Sequence, residues 1–302
     1  MKYRVTHMTA FVYEGLVGHC YNEARLLPCQ HPQQKVLSTE LNIDPAPDDH
    51  YQRYDYFGNW TNYFSIFKPH EKLEVTATSE VEVSVSPQLN MIESLPWEMV
   101  REKLRNVRSG ELVEISQFCL SSPSIRVDEL LADYAQPSFS AGRPLLDAVH
   151  DLMQRIFNEF TYDPDFSTIS TPLKQVLEHR SGVCQDFAHL AIGCLRSQGL
   201  PARYVSGYVE TLPPPGQERL VGADASHAWF SVYQPGIGWV DFDPTNNQMP
   251  QEQYITVAHG RDYGDVTPLK GVAYGGGEHE LKVSVDVMRL DEQKQDSQKP
   301  KP

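Results

Sequence analysis

Cysteine is scarce in this chain of 302 residues: five, at positions 20, 29, 119, 184 and 194, an odd and widely spaced set. A disulfide framework needs denser, paired cysteines, so covalent stapling is not what holds the fold, and at least one thiol stays free. Basic residues are also few, 26 Lys and Arg against 40 Asp and Glu, for a formal charge of -14. That leaves no basic surface for a phosphate backbone or an anionic bilayer, which argues against nucleic acid and membrane as partners. No apolar run of about 18 residues occurs, so no membrane-spanning helix is expected. The start, Met1-Lys2-Tyr3-Arg4-Val5-Thr6-His7, lacks the apolar block of a secretion signal, and the expected location is cytoplasmic. No internal repeat is visible. What is present is ordinary: 40% hydrophobic and 22% charged residues describe a chain that folds. Its length is a prior for two domains.

The pattern changes along the chain. Leu73, Val75, Ala77, Val81, Val83 and Val85 alternate with polar residues, which predicts a strand with one buried face. Aromatic and β-branched stretches at 3–13 and 62–67, broken by the turn Tyr56-Phe57-Gly58-Asn59, extend this to an antiparallel all-β domain over residues 1–90. Residues 91–142 read as a connector with short helices near 99–105 and 127–134. From Pro144 the period is helical: Leu145, Leu146, Val149, Leu152, Met153, Ile156, Phe157 and Phe160 share one face. Thr171-Pro172 starts a second helix, and a third runs from Cys184 to the stop at Gly199-Leu200-Pro201. Strands follow at 203–209, 227–233 and 238–242, with one more at 281–287. Helices before an antiparallel sheet give an α+β catalytic domain over 143–290, and the charged tail 291–302 is expected to be disordered.

Cys184 stands just before an apolar helical period, which puts its sulfur in a first helical turn, where unpaired amides and the helix dipole favour thiolate. Gly182 beside it leaves room for a substrate backbone. Cys194 falls mid-helix on an apolar stripe and reads as core. A thiol nucleophile needs a base, and His227 shares a strand face with Trp229, Ser231 and Tyr233, opposite the core face of Ala228, Phe230 and Val232. Pairing Tyr233 with Trp239 across the turn 234–238 sets Asp241 opposite Ser231 and Asp243 diagonal to His227, at about 7–8 Å between α-carbons. Asp243 is the expected orienting carboxylate, with Asp241 as the alternative. Tyr162 is a candidate oxyanion donor, Trp229 a candidate substrate-binding wall, and Asp186 a helix cap or a partner of Arg180. Cys184, His189 and Cys194 are rotated about 140° apart on a helix and cannot meet on one ion. His19, Cys20, Cys29 and His31 are a weak zinc set, because adjacent His19 and Cys20 point to opposite strand faces. No metal site is expected.

The segments Gly182-Val183-Cys184-Gln185-Asp186, Ser226-His227-Ala228-Trp229 and Asp243-Pro244-Thr245 resemble, in order, the three signature blocks of the transglutaminase-like superfamily. Glu23-Ala24-Arg25-Leu26, Asp55-Tyr56-Phe57-Gly58-Asn59 and His259-Gly260-Arg261-Asp262-Tyr263 resemble bacterial members that carry an N-terminal β domain. The resemblance implies a papain-like core with Cys184, His227 and Asp243 as triad, and no cofactor. It does not carry over the calcium sites of animal transglutaminases, whose additional β domains have no counterpart in the roughly 60 residues after Asp243. The expected function is thiol-dependent acyl transfer on a peptide or protein amide through a thioester, by a cysteine peptidase or amidase. The alternatives are a protein-glutamine transglutaminase and a scaffold that keeps the fold without catalysis.

Overall fold

The computed structural model describes residues 1–85, 91–106, 110–168, 171–211 and 226–290, so the 291–302 tail lies outside the described residues. The N-terminal strands are β1 (Lys2–Ala24), β2 (Gln34–Asp44), β3 (Asp49–Tyr54), β4 (Trp60–Ile66) and β5 (His70–Val83). The helices are α1 (Trp97–Arg105), α2 (Glu111–Ser116), α3 (Glu129–Ala135), α4 (Leu145–Glu159), α5 (Leu173–His179), α6 (Cys184–Ser197) and α7 (Tyr263–Val266). Two short strands, β6 (Thr161–Tyr162) and β7 (Ser181–Gly182), precede the second sheet. That sheet is β8 (Ala202–Val209), β9 (Ser226–Gln234), β10 (Gly238–Phe242) and β11 (Tyr254–Gly260). The described chain closes with β12 (Leu269–Gly275) and β13 (His279–Arg289).

The first sheet has seven strands built around β1, in the order β2-β5-β1-β4-β3, with β12 and β13 also paired to β1. The first half of β1 lies between β5 and β13, and its last residues lie between β4 and β12. The register against β5 breaks between Val12 and Val17, where the long strand changes partners. The alternation in β5 is as expected for Leu73, Val75, Ala77, Val81 and Val83, all buried, whereas Val85 lies past the strand end and is 61% exposed. The strand anticipated at 281–287 exists, but its hydrogen bonds run to β1, so the chain returns to the N-terminal sheet instead of extending the second sheet.

The second sheet is antiparallel in the order β10-β9-β8-β11, with α6 packed on it, so the protein is α+β. α4 buries its predicted stripe except Phe157, which is 43% exposed. Residues 91–142 do more than connect: Trp97, Val100, Leu104, Ile115, Ile125 and Leu131 join the same core as α4, α6 and the inner sheet face. Tyr3, Val5, Val81 and Val83 belong to that core too, so the two sheets share buried surface. The second sheet is also not wet on its outer face. Trp229 and Ser231 are fully buried beside Ala228, Phe230 and Val232, and Cys29 of the N-terminal domain donates its backbone N–H to Thr256 of β11.

Candidate active site

The loop that delivers Cys184 is fixed before the helix begins. Thr161 and Tyr162 pair in parallel with Ser181 and Gly182, and the Asp163 N–H donates to the Gly182 carbonyl at 3.0 Å. Arg180 enters this turn with a left-handed φ of 54° and reaches Glu159 at 3.2 Å, not Asp186. Val183, the residue before α6, is extended and has no capping side chain of its own. Asp186 supplies the cap: its Oδ2 accepts the Val183 N–H at 2.9 Å and the Ser167 hydroxyl at 2.5 Å. A β-carbon on Gly182 would lie 2.8 Å from Asp186 Cβ. The missing side chain therefore makes room for the capping carboxylate, so the space expected to admit a substrate backbone is taken by Asp186.

Cys184 is the first residue of α6 and is partly exposed, whereas Cys20, Cys29 and Cys194 are buried. Burial pushes the Cys29 thiol up to about 11 and the Cys119 thiol up to about 12, and raises Cys20 and Cys194 as well. Those four thiols are held protonated, which suits packing and not attack.

His227 sits on β9 opposite Gly207 of β8. A side chain at Gly207 would meet the Ile255 carbonyl at 2.1 Å and Trp229 at 2.6 Å, so the glycine lets the indole lie behind the imidazole. His227 Nε2 is 2.8 Å from Asp243 Oδ2, and Cys184 lies close enough to the ring to act on its charge. With Nε2 committed to Asp243, Nδ1 is the nitrogen left for sulfur. Burial opposes a charge on His227, but the hydrogen bond to Asp243 and the carboxylate's charge, with Cys184 adding to them, outweigh it and carry its pKa up to about 10. Burial likewise acts to raise Asp243, yet donors from His227, Tyr254 and Asn246 hold it below the ordinary carboxylate value.

The hairpin register is the one expected, with Tyr233 opposite Trp239 and Asp241 opposite Ser231. Asp241 turns away from His227. Its oxygens take the Ser231 hydroxyl and, at 3.2 Å, the Trp229 indole N–H. Asp243 lies just past the strand end, fully buried, in a turn closed by Gln248. Its Oδ1 accepts the Thr245 N–H at 2.9 Å, while Oδ2 accepts Asn246 Nδ2 at 2.7 Å and the Tyr254 hydroxyl at 2.6 Å. Gln248 in turn donates to that hydroxyl at 2.6 Å.

Tyr162 is 53% exposed and lies beside Cys184, whose charge, after burial, raises its pKa. Trp229 cannot wall a substrate site, because it is fully buried with its ring along His227 and edge-on to Tyr254. Trp239 packs on Phe118, Tyr233 and Arg203 instead of joining it. Tyr254, Asn246 and Gln248 were not legible as site residues. Asn246 has a local signal, standing three residues past Asp243 in one turn; Tyr254 arrives on a different strand and has none.

The weighed metal sets do not assemble. His19 stacks on Tyr274, Cys20 turns inward toward His70 at 3.8 Å, and Cys29 faces the Thr256 carbonyl. His189 accepts the Tyr263 N–H at 3.1 Å, and Cys194 is in the core. Among the described residues, no three His, Cys, Asp or Glu side chains are grouped so as to hold a metal ion.

Comparison with known proteins bears on this geometry. Residues 3–82 match the family described as bacterial transglutaminase-like N-terminal region, and residues 132–244 match the transglutaminase-like superfamily. An uncharacterized protein of Mycobacterium tuberculosis is 43% identical over 295 residues, 95% of this chain and 92% of its own length. A protein-glutamine gamma-glutamyltransferase of Pseudomonas aeruginosa is 30% identical over 49% of this chain, which spans only 22% of that protein. The crystal structure of a candidate cysteine protease from Cytophaga hutchinsonii shares the fold, with a TM-score of 0.74 at 21% identity over 96% of this chain and 91% of that one. Two family matches in sequence order, supported by a relative that aligns over more than nine-tenths of both chains, make this chain a member of the transglutaminase-like superfamily.

Proposed function

We propose that the protein is a thiol-dependent acyl-transfer enzyme that opens an amide bond in a peptide or protein, acting as a cysteine peptidase or amidase. The observation that carries this reading is the line from Cys184 at the start of α6, through His227, to the buried Asp243 at 2.8 Å. The Cys184 thiolate adds to the amide carbonyl, and the imidazolium of His227 returns its proton to the departing nitrogen as the C–N bond breaks. His227 then takes a proton from water, whose oxygen attacks the thioester and releases the acid and the thiol. Asp243 accepts from Nε2 throughout and so keeps Nδ1 toward sulfur. Tyr162, beside the thiol, is the candidate donor to the oxyanion.

The P. aeruginosa relative supports a second reading, in which an amine replaces water. A transferase must let that amine reach the thioester before water at about 55 M does, which calls for a dry acceptor channel. The burial of Trp229 and the separate packing of Trp239 favour water. Peptide libraries incubated with and without a labelled primary amine decide the matter by mass. Cleavage or deamidation lost in Cys184→Ala is expected. Amine incorporation in excess of it makes the protein a transferase, and no product dependent on Cys184 makes it a scaffold.

The thiol itself is tested without a substrate. Iodoacetamide at pH 6 is expected to label Cys184 first, well below the ordinary thiol pKa of about 8.5. Preferential labelling of Cys119 would move the nucleophile elsewhere.

A further inference from the structure

Among the described residues, no side chain of the N-terminal β domain is one of those that hold the Cys184–His227–Asp243 line, yet the domain grips the strand that does. β11 is the edge of the second sheet, with β8 on one side only. Its other side is met by two buried carboxamides from the N-terminal domain. Gln34 accepts the Thr256 N–H at 2.8 Å and donates to the Thr256 carbonyl at 2.7 Å. Asn59 does the same at His259, accepting its N–H at 2.9 Å and donating to its carbonyl at 2.8 Å. Each amide thus replaces one residue of a neighbouring strand, and both are at most 1% exposed. The pairing of β11 with β8 slips between Thr256 and Ala258, so the grip falls where the ladder itself sets the register least.

Two residues before Thr256, Tyr254 begins β11 and donates its hydroxyl to Asp243. Gln248 fixes the hydroxyl from behind, which leaves its proton for the carboxylate. The titratable groups facing Asp243 are His227 from β9 and Tyr254 from β11, with Cys184 of α6 beyond the imidazole. Asn246 and Thr245 face it as neutral donors from its own turn.

We propose that Tyr254 is a positioning residue for Asp243, and that the N-terminal β domain acts on the reaction through it by holding β11 with Gln34 and Asn59. This inference rests on the proposed function, since it assigns the tyrosine a part in orienting the same line. The hydroxyl keeps Asp243 ionised and aimed at Nε2, which sustains the imidazolium beside the thiolate. The carboxamides set how far along β11 that hydroxyl stands.

The test is the rate of Cys184 alkylation by iodoacetamide against pH, measured on the full chain as wild type, Y254F, Q34L and the double variant. The wild type is expected to reach a reactive plateau at low pH. In Y254F, Asp243 has one donor fewer and protonates more readily, so the onset of the plateau should rise by about one pH unit. Q34L should move the onset the same way by less, and the double variant should match Y254F. Y208F, which removes the buried hydroxyl bonded to His7, is the control and should leave the onset in place. If Y254F scales the rate at every pH without moving the onset, Tyr254 is merely structural and the proposal fails. If the shifts of Q34L and Y254F add in the double variant, the route through β11 fails; N59A makes the same comparison should Q34L not fold. A wild type without a low-pH plateau instead overturns the proposed function itself.

Discussion

Asp241 and Asp243 are two residues apart, and they differ in what they face. Asp243 accepts from His227, Tyr254 and Asn246, whereas Asp241 serves Ser231 and Trp229 and sets its charge against half-buried Arg203. Asp243→Asn is therefore expected to leave the fold intact and lower turnover by about three orders of magnitude, because an amide can hold the wrong imidazole tautomer. Asp241→Asn should reverse the balance. Turnover per folded molecule changes little, while the unfolding midpoint drops, by about 1–3 kcal/mol in stability, as the Ser231 hydroxyl and the Trp229 indole lose a charged acceptor. Turnover and urea midpoints measured on both variants check this. A larger turnover loss at Asp241 would transfer the orienting role to it.

At the scale of elements, α6 shows how a helix start is built when the preceding residue cannot cap. Val183 has no oxygen to offer, so Asp186 turns back to its N–H and Ser167 closes the other side. Gly182→Ala would push a methyl into that carboxylate, and the neighbouring Asp163-Gly182 bond would open with it. The expected cost is about 1–3 kcal/mol, with slower Cys184 alkylation at pH 6. Unchanged alkylation with lowered stability would mean that the thiol does not depend on this cap. The capping role of Asp186 was legible from its place in the first turn. That Gly182 accommodates this cap was not, since nothing in the spacing shows a side chain folding back. The face of His227, expected opposite the core, is itself covered, because alternation reports only one covering layer and here Cys29 and Gln34 supply a second.

Across the whole molecule, buried histidines set the response to acid. His7 and His189 are 2% and 4% exposed, and burial holds both neutral, with pKa values down at about 4. The unfolded chain takes up protons near pH 6.5 where the native state does not, so their contribution is present above that value and lost as pH falls toward 4. Each amounts to about 3 kcal/mol at most. His227 and Asp243 act in opposite directions: the raised histidine contributes below pH 6.5 and ceases to as pH rises through about 10, and the lowered carboxylate contributes above its ordinary value. Urea midpoints should thus fall between pH 6.5 and 4. His189→Gln should flatten that slope, and an unaltered slope would place the acid response in other groups.

The α+β class, the helix starts at Pro144 and Cys184, the β9–β10 register and the pairing of Asp243 with His227 all follow from local rules. Helical and strand periods repeat over a few residues, and a short hairpin loop leaves one register, so the residues themselves suffice. The return of β12 and β13 to β1, the absorption of 91–142 into the main core and the arrival of Tyr254 at Asp243 needed the folded chain. These are contacts between segments far apart in sequence, each of which has the same local pattern whichever sheet edge or core it joins. What selects among those partners is the burial of both faces of one sheet and the satisfaction of an edge strand's amides by Gln34 and Asn59. Both conditions exist only once the two domains are packed together.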